Sequence, residues 1–182
     1  MKATELLEKQ HRKVEAIFKK LESGRSDPAP LLKELADSLA AHMAIEQDIF
    51  YPAIRSTNED LVGESFEEHA VAELALKRLL SVAPSADSFD AKVTTLKELI
   101  QHHVKEEEEE LFPSVEKKLG VERLESLGKE MKTAFDAAVD RGFMALVPKS
   151  MASTTADAAN KPQGKKAAKA AKNGHARAAA RH

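Results

Sequence analysis

Apolar positions recur at alternating spacings of three and four along most of this chain, the period of a helix with one buried face rather than that of a strand. Over residues 4–21 the stripe runs Leu7, His11, Val14, Phe18, Leu21. Over residues 28–55 it is Leu35, Leu39, His42, Glu46, Ile49, and over residues 61–82 it is Phe66, His69, Leu76, Leu80, with Ala72 or Glu73 between. Over residues 88–119 it is Val93, Leu96, Ile100, His103, Glu107, Leu111. Punctuation separates these segments: "ESGRSDPAP" after the first, with Asp27-Pro28 as a helix start, then "STNED", then "APSADSFD", and Gly120 as a stop. Thr4 reads as the first N-cap. Pro52 and Pro113 interrupt the second and fourth segments near their ends. A fifth segment, residues 121–139, carries Leu124, Leu127, Met131, Phe135 and Val139 and is expected to pack outside the other four. Four amphipathic helices with short connections predict an all-α, up-down-up-down four-helix bundle with an additional C-terminal helix. The expected divisions are residues 1–119 for the bundle, 120–145 for the added helix and 146–182 for a low-complexity, disordered tail.

Every stripe contains a histidine where a buried apolar residue is expected, and two contain a glutamate. The chain also repeats itself. "QHRKVEAIFKKL" (Gln10–Leu21) matches "EHAVAELALKRL" (Glu68–Leu79), and "HMAIEQDIFYP" (His42–Pro52) matches "HVKEEEEELFP" (His103–Pro113) without a gap. The bundle should therefore have an approximate two-fold axis, with any central site built twice. Residues four apart share a helical face, so His42 with Glu46 and His103 with Glu107 each aim an imidazole and a carboxylate at one point. His11 and His69 come in from the other two helices. Six such groups in a dry core are costly unless something satisfies them. Imidazole and carboxylate donors suit iron, zinc and other transition metals, and a carboxylate can join two of them. The two-fold pattern predicts two metals, each with two histidines, and Glu46 and Glu107 between them. Glu15, beside its stripe, is expected at the surface or behind a ligand, and the stripe can be drawn through Glu73. Phe50, Tyr51 and Phe112 are expected to pack near the helix ends. Most other members of the run Glu106–Glu110 read as solvated acidic surface, and His102 as a residue that flanks the site or supports a ligand from behind.

Composition narrows the chemistry. There is no cysteine among the 182 residues, so disulfides, thiolate metal sites and thiol nucleophiles are excluded. The N-terminus has no apolar signal core, and no apolar run approaches the ~20 residues of a membrane span. A cytoplasmic, membrane-free setting is expected. The formal net charge of −2 hides an uneven distribution. From Leu146 onward there are eight Lys and Arg against the single acid Asp157, so the preceding body is acidic.

The order His11, His42-x-x-x-Glu46, His69, His103-x-x-x-Glu107, with an aromatic-Pro pair closing on the sixth residue after each glutamate, resembles the hemerythrin-like (HHE cation-binding) family over residues 4–119. The resemblance implies a non-haem di-iron centre bridged by carboxylates and an oxo or hydroxo group. Its ligands would be His11, His42, Glu46, His69, His103 and Glu107. Dioxygen, peroxide or nitric oxide would be the small ligands, in oxygen binding, sensing, iron handling or peroxide breakdown. Oxygen-carrying members place a further histidine one turn after the one in the third helix. Glu73 stands there in this chain, which favours redox chemistry, sensing or iron handling over carriage. An enzyme with catalase-like or ferroxidase-like activity is the alternative. The tail, "KPQGKKAAKAAKNGHARAAARH", suggests a third reading, an interaction module tethered non-specifically to nucleic acid through phosphate charge. His175 and His182 within it are not expected to reach the core.

Overall fold

The computed structural model describes residues 1–147, so nearly all of the segment expected to be a disordered basic tail lies outside the described residues. The described residues are helical, with no strand among them. The long helices are α1 (Ala3–Ser23), α2 (Pro28–Ile45), α4 (Glu59–Leu80), α5 (Phe89–Glu106) and α7 (Val121–Arg141). Three short ones, α3 (Tyr51–Ile54), α6 (Phe112–Leu119) and α8 (Phe143–Leu146), complete the set. Helices α1, α2, α4 and α5 form the bundle: α1 packs on α2 and α5, and α4 packs on α5 and α2.

Local chemistry sets most of the boundaries. Asp27 accepts the Ala29 amide at 3.0 Å, with Pro28 in the first turn of α2, and Asn58 accepts the Leu61 amide at the start of α4. Helix α1 begins two residues earlier than an N-cap at Thr4 predicts. The Lys2 amide donates to Glu5 there, while the buried Thr4 hydroxyl donates to Glu116 of α6 at 2.6 Å. Thr4 is a tie between two elements, not a cap.

The two prolines do not break their helices. A π-helical turn precedes each: Glu46–Phe50 joins α2 to α3, and Glu107–Leu111 joins α5 to α6. In these turns the Tyr51 amide bonds to the Glu46 carbonyl, and the Phe112 amide to the Glu107 carbonyl. A proline in an ordinary α-helix clashes with the carbonyl four residues back, and the wider turn gives that carbonyl room. The extra residue also rotates the side chains beyond it. Ile49, placed on the buried stripe by strict α-helical spacing, is only half-buried, while Phe50 and Tyr51 are fully buried.

The interior divides into two apolar clusters. One, at the α1–α2 loop end, holds Phe18, Leu35, Leu39, Leu76, Leu79 and Leu96. The other holds Leu7, Phe50, Tyr51, Phe66, Phe112 and Val115. The second includes Leu124, Leu127 and Met131, by which α7 packs across α1 and α2. Contact is close at Gly128: a Cβ there would lie 2.5 Å from the Met1 carbonyl oxygen. Asp37 of α2 accepts the Phe143 amide at 2.8 Å and so holds the start of α8. Between the two clusters lies a polar layer of histidines and glutamates.

Candidate metal centre

Each side chain of this layer arrives on a different turn for a local reason. His11 and His69 occupy equivalent mid-helix positions in α1 and α4. His42 and His103 stand in the last turns of α2 and α5, and Glu46 and Glu107 open the π-helical turns. Exposure of these six residues ranges from 0% for Glu46 to 5% for His42, so water satisfies almost none of them.

The two-fold expected from the repeat is present in the geometry. His11 and His42 face each other with Nε2 atoms 3.2 Å apart, and His69 and His103 do so at 3.0 Å. Both ring pairs are edge-on, with centroids 4.8 and 4.6 Å apart. The carboxylates stand between the pairs. Oε2 of Glu46 is 3.2 Å from His42 Nε2 and 3.3 Å from His69 Nε2. Oε2 of Glu107 is 3.4 Å from His11 Nε2 and 3.6 Å from His103 Nε2. Two groups with metal-ligand spacing result, His11–His42–Glu46–Glu107 and Glu46–His69–His103, each with donor atoms within 4.8 Å of one another. Glu46 belongs to both.

This donor set fits cations better than it fits itself. Both oxygens of Glu46 and Oε2 of Glu107 are buried without a hydrogen-bond partner, an arrangement that costs several kcal/mol per group in a dry core. Burial, and then the neighbouring Glu107, push the Glu46 carboxyl well above its usual range. Burial acts the same way on Glu107, but His103 and His11 outweigh it and hold that carboxyl below its usual range. Burial and adjacent imidazoles drive His42 and His69 well below the ordinary histidine value, which keeps them neutral, the form that ligates metal. Burial also opposes charge on His11, yet Glu107 and Glu108 raise it. Two carboxylates that cannot both ionise easily, set among neutral imidazoles, form a site that positive charge would complete.

All four histidines turn Nε2 inward, and a second set of polar groups holds Nδ1 from outside. Glu108 lies 2.8 Å from His11 Nδ1, Gln10 Oε1 lies 2.7 Å from His42 Nδ1, and Glu68 lies 2.7 Å from His103 Nδ1. The Gln47 amide is 3.1 Å from His69 Nδ1. These partners also obey the repeat: Gln10 and Glu68 each precede a histidine, and Gln47 and Glu108 each follow a central glutamate. Such contacts fix the imidazole rotation, and the three oxygen partners also hold a proton on Nδ1. Glu108 is the member of the acidic run that is not plain surface, because it follows Glu107 into the wide turn and reaches back to α1. Tyr51 packs where the sequence places it and does more besides. Its ring does pack near the helix end, but its hydroxyl enters the polar layer, donating to Glu107 Oε1 at 3.0 Å and lying 3.3 Å from His69 Nε2. Burial, then Glu107 and Glu46, push that hydroxyl well above its usual pKa, so it stays a donor at neutral pH. The equivalent Phe112 stacks on His11 and has no hydroxyl to offer.

Other candidates stay outside. His102 is exposed and pairs with Glu68 and Glu106 at 3.4 and 3.5 Å. Glu15 pairs with Lys19 on the surface at 2.8 Å. Glu73 is buried, but its carboxylate accepts Lys77 one turn on, at 2.6 Å, and does not join the centre. His175 and His182 lie outside the described residues.

Comparison with known proteins agrees with this arrangement. The chain is 25% identical to a crystallised hemerythrin HHE cation binding domain-containing protein from Mycobacterium kansasii, with a TM-score of 0.68, over 77% of this chain and 88% of that one. It is 28% identical over 138 residues to a protein of Nostoc sp. named DNA nickase, an alignment that takes in 74% of this chain and only 39% of that relative. The family model described as Hemerythrin HHE cation binding domain matches residues 2–115. This chain belongs to the hemerythrin HHE cation-binding domain family.

Proposed function

We propose that the polar layer holds two iron ions and that the protein binds, senses or reduces dioxygen or peroxide there. His11 and His42 would hold one ion, His69 and His103 the other, and Glu46 and Glu107 would serve both. The observation that carries this reading is the position of the two buried carboxylates, each between the two histidine pairs and short of hydrogen-bond donors. Bound iron would supply the electrons and the open coordination positions that dioxygen, peroxide or nitric oxide require. The protein's own contribution is orientation and polarity. Nδ1 partners hold the imidazoles, the apolar clusters keep bulk water out, and Tyr51 points a hydroxyl proton into the layer. That hydroxyl and the removal of Glu73 by Lys77 favour turnover of peroxide or dioxygen over simple carriage. A cytoplasmic setting is part of this reading, in keeping with the absence of cysteine. Among the described residues no helix is long and apolar enough to cross a membrane.

The test is spectroscopic. Iron-loaded protein should show a near-ultraviolet ligand-to-iron band that changes on adding peroxide, with oxygen release that is lost in His69→Ala. A spectrum indifferent to peroxide, dioxygen and nitric oxide would remove the redox reading.

A second reading concerns the basic C-terminal segment. Its charge, and the similarity of three-quarters of this chain to a protein named as a DNA nickase, support non-specific attachment to DNA. Gel shifts with full-length chain and a chain ending at Lys149 test it. A salt-sensitive difference supports attachment, and equal mobility removes it.

A further inference from the structure

The polar layer is not closed equally on its two sides. Toward α3 and α6 it is shut by the aromatic rings of Phe50, Tyr51, Phe66 and Phe112, all 3% exposed or less. Toward the α1–α2 loop end it meets a small cavity of about 10 Å³, touched by all four histidines and otherwise apolar. That volume is at the threshold of about 10–15 Å³ needed for one water-sized occupant. Outside it, between α1 and α5, lies an open groove of about 290 Å³. Cavity and groove share four lining residues, His11, Val14, Ile100 and Val104. Val104 is only half-buried, so a single layer of side chains separates the groove from the cavity.

We propose that the α1–α5 groove is the port through which small uncharged molecules reach the centre, with Val14, Ile100 and Val104 as its inner wall. The proposal deepens the reading of a centre that handles dioxygen-class ligands and rests on it. Chemistry selects uncharged molecules. The charges at the rim are already paired, Arg12 with Glu108 and Lys97 with Glu22, which leaves little field to draw an ion in. Passing the aliphatic wall would strip an ion of its water at high cost, whereas a diatomic gas or hydrogen peroxide loses far less. The rim is also built on one side only. By the internal repeat, Arg12 corresponds to Ala70 and Glu108 to Gln47, so the surface ion pair that meets a histidine Nδ1 is found at His11 and not at His69. The port therefore distinguishes the His11–His42 half from its two-fold mate.

Two measurements on the full-length chain test the port. In zinc-loaded, diamagnetic protein, dissolved dioxygen should broaden the methyl signals of Val14 and Ile100 well beyond those of Val93 and Leu32, which match them in burial but line neither space. In ferrous-loaded protein, Val104→Phe should slow nitric oxide binding by roughly tenfold, an added barrier of about 1.4 kcal/mol. Val104→Ala should quicken it, and Val71→Phe in the separate α4–α5 groove should leave it unchanged. If Val104→Phe does not fold, Val104→Ala together with the broadening pattern decides. Uniform broadening, or a nitric oxide rate indifferent to residue 104, overturns the port. Failure to load iron would sink the di-iron reading instead, and the dioxygen broadening, which needs no iron, would still decide the port.

Discussion

Side chains in the polar layer differ sharply in what their loss should do, although they lie within a few ångströms of one another. His42→Ala and Glu107→Ala remove donors that nothing else replaces, so each should lose most of the bound iron. His102→Ala, one residue from His103 but exposed, should retain it. Iron analysis of the purified variants separates the two outcomes. Glu108→Ala and Gln10→Ala leave the inward nitrogens in place but free their rings, and should weaken metal affinity about 10–100-fold. Titration against a chelator of known affinity measures that loss. Tyr51→Phe should keep the iron and the fold while altering the response of the spectrum to peroxide, because only the hydroxyl is removed. At this scale the six inward residues were legible in the chain, since each interrupts an apolar stripe and each has a partner in the repeat. The outer four were marked only faintly. Gln10 and Glu68, and Gln47 and Glu108, are polar at equivalent positions beside the central residues, a signal visible once the two halves are aligned. Tyr51 packs where it was expected, but the reach of its hydroxyl into the polar layer depends on a turn geometry that residue spacing alone does not reveal.

Among the helices, the two π-helical turns decide most. An α-helical count through Glu46 puts Ile49 inside, yet the wider turn puts Phe50 and Tyr51 there instead. The prolines at 52 and 113 were the visible sign, and they mark wide turns rather than breaks. The long helices and their ends were readable from periodicity and capping residues, Thr4 excepted, because its hydroxyl partner on α6 is remote in sequence. Two predictions belong here. Gly128→Ala gains a little helix propensity but drives a methyl into the Met1 carbonyl, and should destabilise the fold by about 1–3 kcal/mol. Its denaturation midpoint against wild type measures this. Burial opposes the charge of Asp37, but Lys33 and the Phe143 amide outweigh it and hold the carboxyl below its ordinary 3.8. Its contribution is therefore present above that value and lost as pH falls through the lower, folded one. Exchange protection of the Phe143 amide should fall in acid in the wild type and should be weak at all pH in Asp37→Ala.

At the scale of the molecule, the protein is a repeated helix pair closed around a charged layer, with α7 laid across α1 and α2. The apolar clusters above and below keep that layer dry, and dryness makes its carboxylates expensive without a cation. On the proposed reading fold and site are one design: a cation among the six polar residues offsets the cost of their burial. The most direct test is the metal content of full-length protein expressed in iron-replete medium. Two irons per chain, reduced to a small fraction by Glu46→Ala, would bear out the account. A folded, soluble chain that holds no metal would contradict it.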